Sequence, residues 1–207
     1  VSIVKDSPPD EVMKMYADFS DLVRETVLSF EGLIGNIDSG TAWAAWGAFS
    51  EDTSDALEAC RAALAMKERT QQEQFPCSLI FALSSGQGIR GKKVTLKDSV
   101  IPMAGVPVLQ GEKILAANAL FGTEIIVTDR IYNETGSSYT YRKLDKVRIA
   151  GFPEAVRLYE MLSGPDESLE LFSRGHGLFE KQDWVRAHKA FIETLKIRPG
   201  DRAAELY

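Results

Sequence analysis

Two hydrophobic periods alternate along this chain, and their order limits the folds open to it. From Val12 to Phe30, apolar residues recur at helical spacing, putting Val12, Met15, Tyr16, Phe19, Leu22, Val23, Val27 and Phe30 on one stripe. Pro8-Pro9-Asp10-Glu11 before it is a helix start, with proline in the first turn and acids at the positive end of the helix dipole. Gly32 reads as the stop. "LIGNIDSGTAWAAWGAF" (Leu33–Phe49) then reads as two short strands around the turn residues Asp38-Ser39-Gly40. An alanine-rich helix runs from Ser54 to about Gln72, burying Leu57, Cys60, Ala63 and Leu64. "PCSLIFALSSGQGI" is a strand broken at Ser84-Ser85-Gly86, within a long hairpin. "SVIPMAGVPVL" is a strand entering a helix near Pro107, and "EIIVTDRI" a short buried strand. "SYTYRKLDKVRIAGF" and "AVRLYEML" are two late strands of alternating character. Helices and strands interleave without the regular repeat of a parallel sheet. The class is α+β, with helices packed on an antiparallel sheet.

The net charge of −6 argues against a general nucleic-acid binder. The one basic cluster, Arg90-Gly91-Lys92-Lys93 with Lys97, reads as a solvated hairpin. The two cysteines, Cys60 on a helix and Cys77 at a strand start, suggest neither a disulfide framework nor a zinc site. His176 and His188 read as ordinary helix residues. No apolar run approaches the roughly 20 residues that cross a bilayer, and no signal peptide is expected. A cytoplasmic setting is expected, either as a free protein or as the cytoplasmic part of a membrane-anchored one.

Six segments, in order, carry a resemblance. "SPPDEVMKMYADFSDLVRETVLSFEG", "GTAWAAWGAF", "SLIFALSSGQGIRG", "MAGVPVLQGEKILAAN", "GTEIIVTDRIY" and "LDKVRIAGFPEAVRLYEML" together resemble the catalytic domain of class III adenylate/guanylate (nucleotidyl) cyclases. The likeness extends to Met161. It implies a ferredoxin-like antiparallel sheet with helices over residues 1–163. It also implies a site shared between two paired domains, fed by ATP or GTP with two Mg or Mn ions. In such a site two aspartates hold the metals. A lysine and an acid or threonine read the purine, and an asparagine and an arginine stabilise the transition state.

Laid over this chain, that equipment is missing. The second metal aspartate falls on Gly40. The purine lysine falls on Asn36, and the purine acid near Pro102. The transition-state asparagine falls on Leu109 and the arginine on Lys113, which keeps charge but loses the planar fork. Asp38 lies two residues before the metal position, on the same strand face. Asp6 is the other candidate metal acid, if Val1–Val4 is a shortened first strand. Trp43 and Trp46 replace smaller residues and read as packing groups. Gly86-Gln87-Gly88 with Gly91 fits neither phosphate-loop spacing.

After Gly164-Pro165-Asp166, residues 166–207 read as an α-helical hairpin. Gly175, Leu178, Ala187, Phe191 and Pro199 fall at the spacings of a tetratricopeptide repeat, which this segment resembles; Arg174 departs from it. One repeat is too few to stand alone. The expectation is a cyclase-homology domain without chemistry and without a bound cofactor or metal. It would pair with another cyclase-like domain, as homodimer or heterodimer, and offer the repeat to a protein partner. The alternative is an active adenylate cyclase converting ATP to cyclic AMP and diphosphate with displaced ligands.

Overall fold

The computed structural model describes residues 8–38, 40–48, 55–91 and 103–207. They divide into two units. The first takes the chain to Leu79 and returns for Gly88–Gly105; the second holds Ile80–Gln87 and Val106–Tyr207.

In the first unit, α1 (Pro9–Ser29) opens with Pro9 in its first turn and Asp10 and Glu11 beside the free N–H groups. Phe19, Leu22, Val23, Thr26 and Val27 form its buried stripe. Glu31 makes the left-handed turn at the end (φ 59°), while Gly32 donates back to the Val27 carbonyl at 2.8 Å. Gly32 is needed for a different reason: a Cβ there would stand 2.6 Å from the Trp46 ring. β1 (Leu33–Asp38) and β2 (Thr41–Ala45) form the expected antiparallel hairpin, with Asp38 opposite Thr41 and Gly40 at φ 89°. α2 (Asp55–Gln72) packs on α1 and buries Cys60, Ala62, Ala63 and Met66.

The next stretch departs from the long hairpin expected. β3 (Phe81–Leu83) belongs to the second unit. β4 (Gly88–Arg90) pairs instead with β5 (Met103–Gly105), as an antiparallel ribbon in the first. Gly86, at the break in the apolar run, lies where the chain parts from the sheet.

The second unit is built on one sheet. α3 (Val106–Leu115) follows β5 directly, and α4 (Ala117–Phe121) ends on Gly122 at φ 65°. β6 (Ile125–Thr128) is buried throughout. α5 (Asp129–Thr135) occupies residues read as the tail of that strand. β7 (Tyr141–Arg148) and β8 (Ala155–Met161) are the two late strands. The strand order is β3-β6-β8-β7. β8 is antiparallel to both neighbours, as expected. β3 and β6 run parallel, because α3 and α4 carry the chain back across the sheet between them.

α6 (Leu169–Glu180) and α7 (Trp184–Ile197) form the predicted helical hairpin, followed by the short α8 (Arg202–Glu205). Gly175 lets the two helices close up: a Cβ there would meet the Phe191 ring at 3.0 Å. These helices share a core with the sheet. Phe172, Ala187, Phe191, Ala203 and Ala204 pack in one cluster with Ile114, Phe121, Ile126, Leu144 and Leu158. No helix among the described residues is long and apolar enough to cross a membrane.

Candidate functional site

The residues singled out by sequence fall in both units. Asn36, Asp38 and Gly40 lie on the β1–β2 hairpin of the first; Leu109 and Lys113 lie on α3 of the second. Asp6 and Pro102 lie outside the described residues.

On the hairpin, register decides what is presented. A bulge between Ile34 and Asn36 puts Ile34 opposite Ala44 and Asn36 opposite Trp43. Ile34 and Gly35 are therefore both buried, while Asn36 and Asp38 share the exposed face. The Trp43 ring lies on Gly35, where a Cβ would come within 2.1 Å of it. Trp46 donates from Nε1 to the Phe30 carbonyl at 2.7 Å and covers Gly32. Both indoles are thus structural, tying the hairpin to itself and to the end of α1. The bulge was the missed feature here, and a glycine inside a strand run is its signature.

Gly40, at the tip, has open space around it apart from Tyr16 at 3.6 Å from a notional Cβ. Its φ of 89° is one that glycine holds without cost and an L side chain resists. Among the described residues, no three His, Cys, Asp or Glu side chains converge as a metal cluster. Asp38 is the acid this hairpin itself offers, one carboxylate on the exposed face of β1.

On α3, Gln110 and Ile114 face inward. Leu109 is 54% exposed, and Lys113 lies one turn further along the same exposed face, with Val106 one turn before it. Lys113 also borders a cleft of about 230 Å³ shared with Ile114, Ala117, Val147, Arg148, Ile149 and Ala150. α4 is held by a residue the sequence reading passed over. Asn118, nearly fully buried, donates to the carbonyls of Phe81 at 3.0 Å and Leu115 at 3.2 Å, and accepts from Thr123 Oγ1 at 2.9 Å. This links α4 to β3 and satisfies groups that burial would otherwise penalise.

A buried polar cluster joins the last two strands to the ends of the helical segment. Arg142 on β7 donates to Glu160 on β8 at 2.7 Å and to Asp201 at the start of α8. Its guanidinium also lies 4.6 Å from the Phe172 ring centre. Arg198 bonds Asp166 at 3.0 Å and approaches Asp201 at 3.8 Å. Burial pushes the Glu160 carboxyl up, and the neighbouring arginines pull against it. His176, read as an ordinary helix residue, is buried against Phe172 and Tyr207. Burial pushes its imidazole below the usual range.

No protein-family model matches the chain. Among curated proteins it is similar to adenylate cyclase 1 of Rhizobium meliloti (strain 1021), at 24% identity over 162 residues, covering 74% of this chain. The chain spans only 24% of that relative's length. Among solved structures it is similar to the guanylyl cyclase Cya2 (TM-score 0.66, 18% identity, 80% of this chain and 87% of that one). It is also similar to a non-canonical dimeric guanylyl cyclase domain from the aquatic fungus Blastocladiella emersonii (TM-score 0.61, 14% identity, 78% and 88%). The fold is that of these cyclase domains.

Proposed function

We propose that this chain is a class III cyclase-homology domain that has lost cyclase chemistry and serves as a pairing or regulatory partner in cyclic-nucleotide signalling. Its tetratricopeptide-like helical hairpin is a docking element. The observation that carries this reading is Gly40. The hairpin tip, where the resemblance places a metal-binding acid, bears no side chain and has a φ of 89°. The exposed Leu109, in place of a polar transition-state group, supports it. An apolar framework that keeps the fold while the polar groups of a reaction disappear fits retention for binding, since fold alone does not fix activity. The dimeric state named for the fungal relative supports pairing as the retained role. The test is incubation of the purified chain with ATP or GTP and Mg²⁺ or Mn²⁺, measuring cyclic nucleotide. No product above background is expected.

A second reading, an active adenylate cyclase using ATP, is favoured by Asp38. It lies on the exposed face of β1 two residues before the tip. Metal-dependent turnover that disappears in Asp38→Ala would establish it. Turnover that survives this change would place the metals elsewhere.

A further inference from the structure

The outer face of α7 departs from the usual division of a surface helix. Its inner face is fully used, with Ala187, Ala190, Phe191 and Thr194 buried. The opposite face of such a helix is ordinarily polar. Here it shows Val185 (69% exposed) and Ile192 (41%), with Trp184 (54%) at its edge, where the indole meets the Phe179 ring of α6 edge-on at 5.0 Å. Lys189 and Lys196 stand on the same face, both exposed, one turn from these apolar groups. The nearest acids along the helix are engaged: Asp183 accepts from Arg186 Nε at 2.6 Å, and Glu193 lies 3.8 Å from Arg174. Among the described residues neither lysine has an ion-pair partner. An otherwise acidic chain thus carries an apolar stripe edged with uncommitted positive charge, about 18 Å long from residue 184 to 196.

We infer that this face docks an acidic amphipathic helix of another protein. Its apolar side would lie over Val185 and Ile192 and reach the outer edge of Trp184, and its carboxylates would meet Lys189 and Lys196. Two exposed aliphatic groups bordered by the outer edge of a tryptophan give a partner helix apolar surface to cover, and complementary charge fixes the sign of the partner. A membrane surface fits less well. The three apolar residues are interrupted by lysines, and the net charge of −6 repels an anionic leaflet. The inference rests on the docking role proposed for the hairpin and is independent of whether the chain makes cyclic nucleotide.

The experiment uses the full chain and a fluorescein-labelled 15-residue peptide of leucine and glutamate at helical spacing. Controls are the same peptide with lysine for glutamate, and a scrambled one. Anisotropy should show saturable binding of the acidic peptide at low salt, and at least tenfold weaker binding of the lysine and scrambled peptides. Lys189→Glu with Lys196→Glu should weaken the acidic peptide tenfold or more, with an unchanged melting temperature. Equal binding of all peptides, or unaltered binding by the double variant, overturns the proposal. So does binding to phosphatidylserine vesicles in place of the peptide. Self-association of the chain that the double variant abolishes, without peptide binding, assigns the face to a second copy instead and likewise overturns it. A negative cyclase assay leaves each of these results readable.

Discussion

Arg142 on β7 and Asp201 at the start of α8 are 59 positions apart in sequence and directly hydrogen-bonded in the fold, each about 1% exposed. Asp201 has a second duty. Its other carboxylate oxygen accepts from the Ala204 N–H at 3.2 Å and so caps α8. Arg142 in turn holds Glu160 on the neighbouring strand. A single buried cation therefore joins the sheet to the last helix, while the shared apolar core around Leu144 and Phe172 excludes water from the join.

Removing the cation alone is expected to be costly. Arg142→Met leaves Glu160 and Asp201 buried without their partner, at a cost of about 3–5 kcal/mol. Replacing all three together, Arg142→Met with Glu160→Leu and Asp201→Asn, keeps a capping group on α8 and should recover most of that loss. Urea midpoints of the two variants against the parent measure the difference. A single variant as stable as the parent would show that the acids are relieved by protonation or water.

The Gly35–Trp43 contact makes a second test. Gly35→Ala forces a methyl group into the indole face and should destabilise the chain by about 1–3 kcal/mol, the usual range for overpacking. Adding Trp43→Val to Gly35→Ala should give back part of the loss, because the clash is with that ring. Thermal melts of the two single variants and the double variant complete the cycle.

These two contacts show where sequence reasoning reached and where it stopped. α1, the β1–β2 hairpin, β6, β7, β8 and the helical hairpin are local: period, caps and turn residues mark them, so they were legible. β3 and β4 were read as parts of one long hairpin because both halves of the apolar run favour strand. Their separation depends on partners far along the chain, β6 for one and β5 for the other. α5 was missed because Ile131 continues the apolar pattern of β6. Thr128-Asp129, a helix-start pair, was the available signal. Gly40, Leu109 and Lys113 were placed by resemblance and lie on exposed positions of β2's turn and α3. The Arg142–Glu160–Asp201 cluster has no sequence signature, since its members meet only through tertiary packing.

Acid should loosen the hairpin through Asp166. Burial pushes this carboxyl up, but hydrogen bonds from the Ser168 hydroxyl (2.6 Å) and N–H (2.8 Å), with the charge of Arg198, outweigh it and leave the group below the usual range. A carboxylate lowered on folding stabilises above its unfolded value, and that contribution is lost as pH falls through the folded value. Asp166→Asn should therefore cost about 1 kcal/mol at neutral pH. The gap to the parent should begin to close as pH drops below about 4, the ordinary aspartate value, and vanish once pH has passed through the lower folded value. Chemical denaturation at several pH values reads this directly; a gap that widens on acidification would contradict it.

Pairing through the cyclase-like face is best tested on α3. Val106 and Leu109 are each more than half exposed on one side of this helix, an arrangement that costs free energy in water at about 25 cal/mol per Å². Burial against a second cyclase-like domain relieves that cost. Trimming the chain to residues 1–163 cannot separate pairing from unfolding. The cut removes Phe172, Phe191 and Ala203 from the core they share with the sheet, and aggregation of the remainder is the expected result. Leu109→Glu is cleaner: the side chain is at the surface, so the fold should keep its stability within about 0.5 kcal/mol. Sedimentation equilibrium of the full chain should show a dimer for the parent at tens of micromolar and a monomer for Leu109→Glu. A parent that stays monomeric at high micromolar concentration would exclude self-pairing and leave an active cyclase as the partner to test, by adding the chain to such an enzyme and comparing its activity with and without Leu109→Glu.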